Sequence, residues 1–123
     1  MLAATIRPPA DLRWEDILDG AERSVLHGDP AQPGAYYVVR FRTHREIRVP
    51  LHWHPEDEHI TVLEGPFGMA CAPAESDSRE LPPGSYVVIP ARVHHASSYG
   101  PGTVIQVSGI GPYQTVYAGP STE

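Results

Sequence analysis

The sequence predicts an all-β domain, a small sandwich or barrel of seven or eight short strands. The chain has 14 prolines and 11 glycines in 123 residues, a density that disfavours long helices because proline removes a backbone donor and clashes with the preceding turn. From residue 35 onward, short apolar runs recur, some with alternating polar residues, as is typical of β-strands. Turn-forming residues separate most neighbouring runs. No internal repeat or linker indicates a second domain.

The elements follow in order along the chain. The first thirty residues form an arm, in which 11–19 make either a short helix ending at Gly20 or an extended segment carrying Trp14. Turn residues at 27–34 precede the strands, and 72–80 form a polar loop. Strands are predicted at 35–43, in the run interrupted by Pro50, and at 59–63, 67–71, 85–89, 93–99, 103–107 and 114–117.

Composition and charge exclude several classes of function. A formal charge of −6 argues against binding to nucleic acid or to anionic membranes, which both need a surplus of Lys and Arg. Cys71 is the single cysteine, so no intrachain disulfide can form. Since neither a secretory signal nor a membrane-spanning run is recognisable, we expect a cytoplasmic protein.

Histidines and one glutamate form the strongest candidate site. His52 and His54 are two residues apart in a predicted strand, so their side chains point to the same face. Glu58 follows a predicted turn, and His95 comes just after a strand that ends at Pro90. Three imidazoles and one carboxylate suit a divalent transition metal: iron, manganese, cobalt, nickel or zinc. Four protein ligands on an octahedral ion leave two positions open for water or substrate.

Two segments resemble the motifs of the cupin superfamily. The stretch HWHPEDE at 52–58, followed by Gly65, is similar to the first cupin motif, and the stretch from Gly84 to His95 is similar to the second. The resemblance runs from about residue 25 to 117 and indicates a small bacterial single-domain cupin. Three family residues differ: Glu46 and Arg92 stand where glycine is usual, and Tyr99 where asparagine is frequent.

The resemblance implies a fold and a ligand set. The fold is a double-stranded β-helix, or jelly-roll barrel, with an extended N-terminal arm at 1–24, a barrel at 25–118 and a tail at 119–123. The metal ligands carried over from the motifs are His52, His54, Glu58 and His95. Iron is the favoured ion, and we expect a homodimer because cupins commonly pair through their sheets.

Strand parity suggests further pocket residues. Tyr99 and Ser97 share parity with His95, so Tyr99 either orients a substrate or passes a proton, or it is an ordinary barrel-lining phenol. Gln106 interrupts an apolar strand and is expected to bond to a ligand residue or to substrate, the alternative being an outward, solvated side chain. Phe67 and Met69 line the pocket or fill the core.

The site favours a metal-dependent enzyme that acts on a small oxygenated organic molecule. By analogy with related cupins, the first hypothesis is an iron-dependent dioxygenase. A second is a non-redox cyclase, isomerase or decarboxylase in which the metal polarises a carbonyl group. A third is a non-catalytic module that binds a small molecule or a metal. The fold does not choose among them, since one scaffold hosts many chemistries.

Overall fold

The computed structural model describes residues 2–71 and 78–118 and confirms the predicted all-β fold. Within these ranges the chain forms eleven strands and a 3₁₀ turn at Pro9–Asp11, with no α-helix. The strands make two antiparallel sheets. In these two ranges, no helix is long and apolar enough to cross a bilayer.

A six-stranded sheet forms one wall of the molecule. Its strand order is β1-β2-β3-β10-β5-β8, which places strands from both ends of the chain beside each other. The strands are β1 (Glu15–Leu18), β2 (Ala21–His27), β3 (Tyr36–Thr43), β5 (Glu58–Glu64), β8 (Tyr86–Ile89) and β10 (Val104–Ile110).

A five-stranded sheet forms the opposite wall. Its order is β11-β4-β9-β6-β7. Strands β4 and β9 are neighbours, although some forty residues of sequence separate them, and this pairing joins the two halves of the candidate site. The strands are β4 (Ile47–Trp53), β6 (Phe67–Cys71), β7 (Arg79–Leu81), β9 (His95–Tyr99) and β11 (Val116–Tyr117).

The core lies between the sheets and follows strand alternation. Val39, Val62 and Val107 of the larger sheet are completely buried, as is Phe67 of the smaller one. Because successive strand residues point to opposite faces, the residues between these positions lie on the outer faces. The candidate site also lies in the interior, where His52, His54, Glu58 and His95 are buried.

The predicted N-terminal arm is more ordered than the sequence suggested. Residues 15–24 form β1 and most of β2, so the sheet begins at Glu15 rather than near residue 25. The segment 11–19 is extended in its second half rather than helical. Trp14 lies against the barrel, with the Arg42 guanidinium 3.9 Å from its ring centroid. The predicted tail, 119–123, is outside the described residues.

A β-bulge in β4 aims His52 at the interior. Val49 lies opposite Ser97 of β9. His52 lies opposite His95, so three steps along β4 match two along β9. The extra residue shifts the strand's parity, as a bulge does, and moves His52 onto the inward face that Val49 also occupies. Pro50 sits within the irregular stretch, where its missing N–H does not break a regular ladder.

Candidate metal centre

Three buried histidines converge inside the barrel. His52, His54 and His95 are each less than 5% exposed. One ring nitrogen from each lies within 4.8 Å of the others. The ring centroids of His52 and His95 are 4.1 Å apart, and the His54 ring is about 5 Å from both. Three imidazoles at this spacing can hold one metal ion.

Each imidazole is oriented by a backbone carbonyl. Nδ1 of His52 lies 2.7 Å from the Pro50 oxygen, and Nδ1 of His54 lies 2.7 Å from the Gln114 oxygen. Nδ1 of His95 lies 3.1 Å from the oxygen of Val93. A carbonyl only accepts, so Nδ1 carries the proton in all three rings and Nε2 keeps its lone pair. This is the tautomer that a metal-binding histidine adopts.

Glu58 brings a carboxylate to the same place. It begins β5 and is buried. Its Oε1 lies 3.2 Å from Nε2 of His54 and 3.5 Å from Nε2 of His95. Among the described residues, neither Oε1 nor the His54 Nε2 has a hydrogen-bond partner. Buried polar atoms are rarely left in this state, which indicates a ligand between them.

The electrostatics of the cluster favour a neutral His52 and an ionised Glu58. Burial lowers the pKa of His52 to about 4, and the hydrogen bond to Pro50 opposes this only in part. Burial also opposes charge on His54 and Glu58. In this pair, however, the nearby carboxylate raises the pKa of His54, and the two neighbouring imidazoles lower the pKa of Glu58. A carboxylate that stays ionised is a good donor to a divalent cation.

Tyr113 is a site residue that the sequence reasoning missed. Its hydroxyl donates to Oε2 of Glu58 at 3.2 Å. Its ring stacks on His54, with centroids 5.0 Å apart and an interplanar angle of 26°. Tyr113 lies in the segment after β10, beyond both motifs. The sequence signal was the tyrosine pair at 113 and 117, spaced for one side of an extended strand.

A cavity of about 260 Å³ opens beside His52. Strands β1 to β4, together with β9 and the C-terminal segment, form its walls, so the two ends of the chain meet there. A larger groove, of about 580 Å³, lies between β6, β7 and β8 and contains none of the candidate ligands. The residues that line the smaller cavity include Ile17, Leu18, Arg23, Phe41, Ile47, Val49, His52, Tyr99, Tyr113 and Tyr117.

The predicted pocket residues divide into two groups. Tyr99 lines the cavity beside His52. Ser97 is buried on the same strand face. Phe67 packs edge-on against Tyr99, with ring centroids 5.1 Å apart, and belongs to the core together with Met69. Met69 lines the larger groove rather than the cavity.

Gln106 is not at the site, contrary to the expectation from its polar character. It lies on the outer face of β10, between Arg40 and Thr61 of the neighbouring strands. Its Oε1 accepts a hydrogen bond of 2.8 Å from Nε of Arg40. The flanking Ile105 and Val107 are the inward residues. A polar residue therefore stands at this position because it bonds to Arg40 across the sheet. The residue pattern of a single strand does not reveal such a partner.

A family model described as the ChrR cupin-like domain matches residues 3–114. The chain belongs to this cupin family. The family assignment confirms the resemblance carried by the two motifs, and the match includes both. No curated protein matches the sequence.

Solved cupin structures share the fold at low sequence identity. The polyketide cyclase RemF from Streptomyces resistomycificus has a TM-score of 0.73 and 22% identity, over 98% of this chain and 88% of that one. KdgF from Halomonas sp. has a TM-score of 0.68 and 22% identity, over 86% and 93% of the chains. Salicylate 1,2-dioxygenase from Pseudoaminobacter salicylatoxidans, with gentisate adducts, gives 0.68 and 12%, over 85% of this chain but 31% of that one. The common feature is the cupin fold.

Proposed function

We propose that this cupin is a metal-dependent enzyme that acts on a small oxygenated organic molecule. His52, His54, His95 and Glu58 would hold one divalent transition metal. The observation that carries the proposal is the convergence of these side chains with Nδ1 of each histidine already bonded to the backbone. One ring nitrogen of each histidine lies within 4.8 Å of the others. Among the described residues, the buried Nε2 of His54 and Oε1 of Glu58 have no hydrogen-bond partner.

The donor set fits such an ion. Imidazole nitrogen suits iron, manganese, cobalt, nickel and zinc, and one carboxylate oxygen favours the harder members of this series. Four protein ligands do not complete an octahedron, and an incomplete shell distinguishes reactive metal sites from closed structural ones. When bound, the metal would supply Lewis acidity and, for a redox-active ion, electron transfer.

The protein's own residues would bind and orient the ligand. The apolar side chains Phe41, Ile47 and Val49 line the cavity beside His52 and would exclude water from the reacting atoms. Burial raises the pKa of the Tyr99 phenol, so this group stays protonated at neutral pH and would donate a hydrogen bond. Tyr113 would hold the Glu58 carboxylate in one orientation.

The first candidate reaction is iron-dependent dioxygenation, and iron is the proposed ion. The second is non-redox isomerisation, cyclisation or decarboxylation, in which the metal would polarise a carbonyl group and the Tyr99 hydroxyl on the cavity wall would donate a hydrogen bond to it. The solved structures share too little sequence identity with this chain to support more than the fold. The choice between the two candidate reactions therefore rests on the site. Homodimer formation and a cytoplasmic location stay predictions.

Turnover under two conditions separates the candidates. With added Fe(II) and a panel of diketones, thiols and catechols, dioxygenation predicts oxygen uptake that disappears in His54→Ala. Substrate loss under argon with zinc would instead support the second candidate, because zinc has no redox chemistry. Tight binding of a panel compound without turnover in either condition would contradict an enzymatic role and favour a binding module.

A further inference from the structure

The cavity beside His52 contains one charged side chain among its described lining residues. This side chain is Arg23 of β2, and the rest of the wall is apolar, hydroxylated or imidazole. The chain as a whole is acidic, with a formal charge of −6, so a cation here is not a consequence of composition. An apolar pocket with few polar groups is typical of a small-molecule site, in which those groups determine specificity.

Strand register aims Arg23 at the cavity. It lies opposite Phe41 of β3 on one side and opposite Glu15 of β1 on the other. Residues directly opposite one another in antiparallel strands share a face of the sheet. Phe41 lines the cavity and packs on Tyr113, with ring centroids 6.1 Å apart. The row from Glu15 through Arg23 to Phe41 therefore runs from the rim of the cavity to its wall.

Glu15 holds the guanidinium and leaves donors free for a ligand. Nε and Nη2 of Arg23 both donate to Oε1 of Glu15, at 3.1 and 2.7 Å. A guanidinium has five N–H donors, so three are not used by this contact. The Glu15 side chain is 58% exposed and the Arg23 side chain 31%. The exposed Glu15 carboxylate thus lies at the rim and orients the arginine. Exposed ion pairs of this kind are weak, so the Arg23 guanidinium can also bind a ligand.

We propose that Arg23 binds the carboxylate of a small organic monoanion. The apolar body of this anion fills the cavity, and a further oxygen atom, outside the carboxylate, faces the metal position. This inference rests on the proposed function and specifies its substrate class. An arginine fork matches the two oxygens of a carboxylate. The apolar walls match a hydrocarbon or aromatic body. A bound divalent ion with one carboxylate ligand adds a net positive charge, which also favours an anion.

The cavity limits the size of this anion. A volume of about 260 Å³ corresponds to eight or nine water molecules at roughly 30 Å³ each. The ligand therefore has on the order of a dozen non-hydrogen atoms. Phenylpyruvate and mandelate are of this size, and each carries a carboxylate, an aromatic body and a second oxygen.

Binding of charged and uncharged probes tests the proposal. The zinc-loaded protein is titrated calorimetrically with phenylpyruvate and mandelate, and with the methyl ester of each acid. We expect at least one acid to bind about tenfold or more tightly than its ester. Arg23→Gln should remove this preference. Arg48→Gln, which removes an exposed arginine of β4, should have no effect.

Each result has one meaning, because metal content and melting temperature are measured on every variant. Equal affinity for acids and esters in the metal-loaded wild type, or an unchanged preference in Arg23→Gln, would overturn the inference while leaving the metal site in place. If Arg23→Gln fails to fold, Arg23→Lys replaces it, and the loss of the fork should weaken acid binding alone. A wild type that binds no metal would instead overturn the proposed function.

Discussion

Each histidine of the candidate centre uses one ring nitrogen for the fold and leaves the other for a ligand. The carbonyl partners of His52 and His95 are two residues upstream in the same strand region, whereas that of His54 is Gln114, sixty residues away. The C-terminal segment therefore orients a residue of the first motif. Tyr113, next to Gln114, extends this support to Glu58.

Tyr113→Phe tests this support. The substitution removes the hydrogen bond to Oε2 of Glu58 and keeps the ring that stacks on His54. Because groups that orient metal ligands commonly contribute roughly ten- to a hundredfold to affinity, we expect zinc affinity to fall within this range. Competition with a chelator measures it. Tyr117→Phe, which alters a more exposed phenol on the same cavity, is the control, and equal affinities in the two variants would contradict the role of Tyr113.

Sequence reasoning found the histidines but not Tyr113, for a physical reason. His52 and His54 follow from strand parity, since two residues two apart share a face. Tyr113 reaches Glu58 from 55 residues away, and such a contact depends on how the last segment returns across the barrel. Gln106 shows the same limit, because its partner, Arg40, is on another strand.

At the scale of elements, the turn between β8 and β9 links the two motifs. The N–H of Arg92 donates to the His54 carbonyl at 2.8 Å, and the N–H of Ala91 donates to Asp57 Oδ1 at 2.8 Å. Arg92 occupies the place of a family glycine and has a φ of 71°. The turn thus keeps the left-handed conformation that glycine adopts freely, with a residue that adopts it at a cost.

Arg92→Gly should therefore stabilise the protein. Relief of the left-handed strain is worth on the order of 1 kcal/mol, reduced somewhat by the greater freedom of glycine in the unfolded chain. Urea denaturation measures the free energy of unfolding. Arg92→Ala, which removes the guanidinium but keeps a Cβ, is the matched control. If the glycine variant is no more stable than the alanine variant, the strain is absent.

Element boundaries were predictable where turn chemistry was strong. The strands near 59–63 and 67–71 agree closely with β5 and β6. The N-terminal arm was not recognised as β1 and β2, because its pairing depends on β3 rather than on a pattern of its own. In the sequence, the bulge near Pro50 appeared only as a proline that interrupts a predicted strand. In the structure, it determines which face of β4 His52 occupies.

At the scale of the whole molecule, the ends of the chain complete the site. β1 and β2 cover one side of the cavity with Leu18 and Arg23, and the segment after β10 covers another with Tyr113 and Tyr117. The central strands supply the histidines and part of the cavity wall, including Phe41 and Tyr99, while the flanking segments complete the wall. This division agrees with a fold that hosts many reactions by varying what surrounds a constant centre.

Metal content is the most direct test of this account. Protein purified without a histidine tag is analysed by mass spectrometry beside His52→Ala/His54→Ala, and beside His27→Ala/His94→Ala as a control with two exposed histidines removed. We expect about one transition-metal ion per chain in the wild type and control, and almost none in the His52/His54 variant. His95→Gln replaces this variant if it does not fold. A wild type that stays free of metal after reconstitution, or a His52/His54 variant that keeps its ion, would contradict the central claim.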